Sequence, residues 1–250
     1  MASYHCSIKS GKRGKAASHA DYIVREGRHA RDEETSDLIA KAYGNLPDWS
    51  ADDPRYFWKM ADKHERVNGA AYREYVLALP QELCRDQQLE IVREFIASEI
   101  GSKPYQFAVH SPVAALGKTE QPHAHVMYSD RIDDGIDRLP EQHFKRYNSA
   151  NPELGGCKKD SGGKDRIAMK EALTQTRATW AQIQNSALEQ SGYDVKVDHR
   201  SNKDRGIERV PEKHLGFLGV KKMSAEEKQL VNNLRQSGGS TQTQMVRVTR

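Results

Sequence analysis

The run Gln121-Pro122-His123-Ala124-His125-Val126-Met127-Tyr128 alternates like a half-buried strand, so His123 and His125 project from one face while Val126 and Tyr128 point into a core. The apolar segment Tyr105-Gln106-Phe107-Ala108-Val109, ending on His110, predicts a strand just before it. Residues 3–9 and 71–79 also read as strands, and residues 9–15, rich in Gly and Lys, as a loop. From about Ala16 the period turns helical, with Ala16, Ala20, Ile23 and Val24 on one side and Ser18, Tyr22, Arg25 and Glu26 on the other. Asp52 and Pro54 open a helix toward Asn68-Gly69, with Asp52 as its cap and Gly69 as its stop. Residues 83–100 predict an amphipathic helix with Leu89, Val92, Phe95, Ile96 and Ile100 inward, closed by Gly101 and Pro104. Downstream come a short helix over 138–147, a mobile or ligand-ordered loop over 149–163, and the longest helix over 165–191, through Met169, Leu173, Thr176, Trp180, Ile183 and Ala187. A last strand is predicted at 193–197, and apolar periodicity fades over 224–250, which reads as a flexible end.

With 250 residues, 36% hydrophobic and 30% charged, the chain fits one large domain or one domain with an appendage, and no apolar run approaches the length of a membrane span. Its N-terminus lacks a signal-peptide layout and its three scattered cysteines form no disulfide or zinc pattern, so a cytoplasmic protein with reduced thiols is expected. The formal net charge of +4 is uneven: residues 1–31 hold seven Lys/Arg against two Asp/Glu, and residues 196–250 hold twelve against six. Basic flanks around an acidic centre suit a polyanion lying across the protein.

If the two histidine strands pair as neighbours, His110, His123 and His125 converge, which is what a divalent cation requires. Glu74 lies on a strand that otherwise reads as core, where an acid needs a charged or metal partner; beside such a centre it becomes a candidate acid or proton acceptor. Tyr22 sits on a polar helix face one turn before Arg25, a cation able to stabilise a phenolate or hold a phosphate. Gly117-Lys118-Thr119 is no nucleotide loop, because Pro112 stands where that loop needs a glycine. Candidate phosphate contacts are Lys12, Arg13, Lys15 and Arg25 at one end and Lys145, Arg146, Lys158, Lys159, Arg200 and Arg205 at the other. Tyr147 and Trp180 are candidate base-stacking rings, Trp180 also fitting a core position.

The segments Tyr4-His5, Ala20-Asp21-Tyr22-Ile23 with Arg25-Glu26-Gly27, Ala78-Leu79-Pro80, Pro122-His123-x-His125, Arg131-Ile132-x-Asp134-Gly135-Ile136, Phe144-Lys145-Arg146-Tyr147-Asn148, Asp198-His199-Arg200 and His214-Leu215-Gly216 occur in that order. Together they closely resemble the N-terminal domain of MobA/MobL-type plasmid relaxases, the MobQ class of HUH endonucleases. The resemblance implies an α+β fold, a central antiparallel sheet flanked by helices, over residues 1–216, with 217–250 a basic extension. It implies that Tyr22 is the nucleophile, that His110, His123 and His125 hold Mg²⁺ or Mn²⁺, and that Glu74 is the active-site acid. The implied reaction is nicking and rejoining of single-stranded or hairpin DNA at an origin of transfer. The implied partners are relaxosome accessory proteins and a type IV secretion coupling protein, and the chain is expected to reach the recipient cell attached to DNA. Glu26, one helical turn beyond Tyr22, replaces the second tyrosine of paired-tyrosine replication initiators. A rolling-circle initiator, a histidine-metal hydrolase and a non-catalytic DNA-binding accessory are the rival readings. The family often continues into a primase or helicase region, so the chain reads as a truncated or minimal form.

Overall fold

Residues that face each other across an antiparallel pair share one side of the sheet, and in this protein that rule builds two unlike faces. A computed structural model describes residues 4–30, 36–114, 116, 119–208 and 216–236. Among these, β1 (Cys6–Lys12), β2 (Leu38–Gly44), β3 (Ala70–Ala78), β4 (Tyr105–His110) and β5 (His123–Tyr128) form an antiparallel sheet in the order β1-β3-β5-β4-β2. Pairing of Glu74 with Met127, Ala108 with His125, and His110 with His123 gathers the polar groups on one face. Helices α1 (Ala16–Ile23) and α2 (Pro54–His64) cover that face, packing Ala16, Ala20, Ile23, Phe57, Trp58 and Ala61 on Tyr72, Ala108 and Met127. The opposite face, with Tyr75, Leu77, Phe107, Val109 and Val126, packs on α3 (Arg85–Phe95) and, beyond the short α4 (Pro140–His143), on α5 (Arg166–Gln190). The expected α+β sheet flanked by helices is therefore present.

The chain divides into two compact units, residues 1–111 with 122–199, and residues 112–121 with 200–250. The sheet and α1 to α5 belong to the first. The second carries α6 (Gly216–Lys222), α7 (Ala225–Gln236) and a bridge between Val113 and Glu120. The boundary expected at residue 216 falls inside this second unit. Gly117, Lys118, His214, Leu215 and residues 237–250 lie outside the described residues. No helix among the described residues is long and apolar enough to cross a membrane.

Several local expectations shift. β1 runs on through the expected loop because Gly11 lets it cross Tyr72, where a Cβ would lie 1.8 Å from the ring. The cap of α2 is Asp53, which accepts from the Tyr56 amide; Asp52 has φ 59, outside the extended region a cap adopts. That helix stops at His64, well before Gly69, because Glu65 is drawn into a buried ion pair with Arg131 at 2.9 Å. Residues 193–197 make no strand, since the Asn185 amide group takes both backbone groups of Val197. The 149–163 loop is held by protein groups, with Arg138 donating to the carbonyls of Pro152 and Gly155 and Arg131 to that of Cys157.

Helix α1 has no cap of its own at Lys15. Instead the Asp62 carboxylate, from α2, accepts the amides of Gly14, Ala16 and Ala17 at 2.7, 2.9 and 2.9 Å. A carboxylate at a helix N-terminus gains from both the hydrogen bonds and the dipole. Asp62→Ala is expected to cost about 2–3 kcal/mol in urea unfolding. A change below about 0.5 kcal/mol would show that α1 is held by its apolar contacts alone.

Candidate active site

The register of β4 against β5 sets His110 directly opposite His123, with His125 two residues on. One nitrogen from each ring lies within 4.8 Å of the others, the spacing of a shared metal ligand set. His110 donates from Nε2 to the Ile23 carbonyl at 2.7 Å; a carbonyl only accepts, so Nδ1 keeps the lone pair. Burial, against the opposing pull of that carbonyl, pushes the His110 pKa down to about 4, so the ring is neutral at neutral pH.

Glu74 is 1% exposed, and its Oε1 lies 2.7 Å from His125 Nδ1 and 2.8 Å from His19 Nε2. Burial raises its pKa, but the bonds from His125 and His19 together outweigh burial and bring it to about 2. An ionised carboxylate only accepts, so both imidazoles donate, which leaves Nε2 as the lone-pair nitrogen of His125. This is the carboxylate–histidine arrangement that fixes a ligating ring and raises its basicity. The three convergent nitrogens form a donor set for a divalent cation, with His125 braced by Glu74.

Tyr22, on the last turn of α1, is 41% exposed beside this cluster. The chain turns there through Arg25, whose φ of 57 costs a non-glycine residue on the order of 1 kcal/mol. What holds Arg25 is a bidentate pair with Asp37, both contacts at 2.9 Å, and a bond from Nη1 to the Tyr22 carbonyl. Its guanidinium lies 4.9 Å from the centre of the Tyr22 ring, and Nη2 donates to His110 Nδ1 at 3.2 Å, a contact that a metal bound at Nδ1 would displace. One arginine thus joins the tyrosine to the histidine cluster.

The remaining predicted cations divide by use. Arg25 and Lys159 are both engaged by protein groups: Arg25 pairs with Asp37, and Lys159 bonds the Ala70 carbonyl and pairs with Glu65 at 3.1 Å. Arg13 donates to the carbonyls of Asp62 and Lys63, satisfying the end of α2, while Lys12 and Lys15 are exposed. Lys145, Arg146 and Lys158 ring a cavity of about 350 Å³ with Arg66, Lys159 and Tyr147. No carboxylate lines it. Because Lys159 reaches the first residue of β3 while His125 and His123 pair with Val76 and Ala78 at its other end, the cavity is roughly 20–26 Å from the cluster along the strand. Arg200 and Arg205 are exposed in the second unit. Trp180 is fully buried in the core and so cannot stack on a base. His19, Asp37, Asp62 and Arg66 went unrecognised in the sequence; only His19, three residues before Tyr22 on the same helix face, carried a local signal.

A model of the MobA/MobL family matches residues 18–226. The 43 kDa relaxation protein of Salmonella typhimurium is 51% identical over 210 residues, covering 84% of this chain and 56% of that one. Mobilization protein A of Escherichia coli is 42% identical over 221 residues, covering 86% of this chain and 30% of that one. The chain therefore spans about half or less of these relatives. A solved structure described as the molecular basis of vancomycin resistance transfer in Staphylococcus aureus shares the fold, with a TM-score of 0.57, 22% identity, and coverage of 80% of this chain and 100% of that one.

Proposed function

Because this chain belongs to the MobA/MobL family, we propose that it nicks and reseals one strand of DNA at a plasmid origin of transfer. The observation that carries this reading is the joining of Tyr22 to three convergent imidazoles through Arg25. Tyr22 Oη attacks the scissile phosphorus; the phenol gives its proton to solvent, the Oη–P bond forms as the P–O3′ bond breaks, and the leaving 3′-oxygen takes up a proton from solvent. The 5′-phosphotyrosyl link keeps the energy of the broken ester, so the same site reseals the strand, whereas attack by water would lose it. His110, His123 and His125 would hold a divalent cation such as Mg²⁺ or Mn²⁺, which would supply positive charge to the phosphate and make phosphorus more electrophilic. Neutral imidazoles leave that charge undiminished. A phenol with an ordinary pKa of about 10 needs cationic help to attack at neutral pH, and Arg25 sits against its ring. Glu74 acts through His125, whose tautomer it fixes.

The substrate is single-stranded, or a hairpin with a single-stranded tail, since the scissile phosphate must turn freely toward Tyr22. The basic cavity binds phosphates away from the cut. The direct test is a denaturing gel after incubation with labelled single-stranded origin DNA and Mn²⁺, in which a protein–DNA adduct is expected. A protein that binds Mn²⁺ yet gives no adduct with either origin strand would refute the proposal. Replacing Lys145, Arg146 and Lys158 together by Ala is expected to make the log–log salt dependence of binding shallower by about 2, at roughly 0.7 counterions per phosphate contact. An unchanged slope in filter binding would place the DNA elsewhere.

A further inference from the structure

Two residues connect the tyrosine helix to the histidine cluster, and the second is His19. It lies one turn before Tyr22 on the same face of α1, so the two rings are neighbours by helix geometry. Its ring stacks on Tyr72, with centroids 5.0 Å apart and planes 13° apart, and on Tyr22 at 6.0 Å and 26°. At the same time its Nε2 donates to Glu74 Oε1, the atom that also accepts from His125. Glu74 is 1% exposed, so water cannot readily replace either donor.

We propose that His19 is a positioning residue with two separable tasks: its ring sets the orientation of Tyr22, and its N–H holds the carboxylate that aims His125 at the metal. The second task rests only on the donor set. The first rests on the nicking chemistry proposed above. An imidazole can perform both because it combines a flat face for stacking with an N–H donor at this reach. Without the N–H, Glu74 has one fixed point and rotates, and His125 loses its defined direction. Without the ring, Tyr22 loses its stacked neighbour and is held by Arg25 and by the edge of His29, 5.4 Å away.

Two variants separate the tasks. In His19→Gln the side-chain amide retains a donor near the Nε2 position and the flat ring is lost. In His19→Phe the ring is kept and the donor lost. Calorimetric titration with Mn²⁺ is expected to show His19→Phe weakened about 10-fold or more, the usual consequence of removing a group that orients a ligand, and His19→Gln within about twofold of the parent. Single-turnover adduct formation at saturating Mn²⁺ is expected to reverse the order, with His19→Gln slowed about 10-fold and His19→Phe within about threefold. Thermal melting of both variants accompanies these measurements. If His19→Phe does not fold, parental adduct rate in His19→Gln still overturns the ring task, and a weakened Mn²⁺ affinity in it overturns the donor task. Equal effects of both variants on both readouts would reduce His19 to a packing residue. If the parent itself forms no adduct, the nicking proposal fails, and the Mn²⁺ titrations still decide the donor task.

Discussion

Tyr22→Phe is expected to bind single-stranded origin DNA with the parent's affinity and to form no covalent adduct. The substitution removes one oxygen and leaves the ring, so the stacking on His19 and the Arg25 guanidinium 4.9 Å from the ring centre persist. Tyr22 is 41% exposed, and the backbone turn that follows it is held by Asp37 through Arg25, not by the phenol. Fold and metal affinity should therefore not change. What disappears is the atom that attacks phosphorus. Because the groups of such a site act as a unit, deleting the nucleophile removes nearly all of the rate, at least about 10³-fold. A denaturing gel with Mn²⁺ and labelled strand measures this directly. An adduct of parental intensity from Tyr22→Phe would assign the attack to another side chain.

The parts of this site visible in the sequence are those whose geometry is local. His123 and His125 are two apart on one strand, and that spacing alone puts them on one face; His110 ends the adjoining segment, and a short antiparallel return brings it opposite. Tyr22 was legible for the same reason, since a helix with Ala16, Ala20 and Ile23 buried has to turn position 22 outward. What long-range pairing creates was not legible. The Asp62 carboxylate caps a helix 45 residues earlier in the chain, and Asp37 captures an arginine that reads as a free phosphate contact. Strand β2 escaped because, as an edge strand packed on one side only, Leu38–Gly44 shows no clear alternation. Helix α7 is a different case. Ser224 and Glu227 form a reciprocal capping box, a start signal present in the residues but overlooked beside the polar composition that follows.

His123→Ala and His125→Ala are each expected to weaken Mn²⁺ binding by at least about 100-fold, while His64→Ala, on α2 outside the cluster, leaves it unchanged. The three imidazole nitrogens within 4.8 Å are the donor set found among the described residues, and removing one leaves two of them. The two variants should nevertheless differ in stability. His125→Ala also takes a donor from Glu74, whose carboxylate is then buried with the His19 donor still in place. An ionised acceptor left under-satisfied in a buried site costs about 1–3 kcal/mol, so urea unfolding should show a loss for His125→Ala exceeding that for His123→Ala. The sign follows from Glu74 being held near a pKa of 2: the stabilisation its hydrogen bonds provide is present above the ordinary carboxylate range and is lost as pH falls through about 2. At pH 7 the full contribution of the His125 bond is therefore at stake. Equal loss of Mn²⁺ affinity in all three variants would dissolve the metal assignment. Equal stability of His123→Ala and His125→Ala would show that Glu74 does not depend on His125, and with it would fall the account of how this strand aims its second histidine.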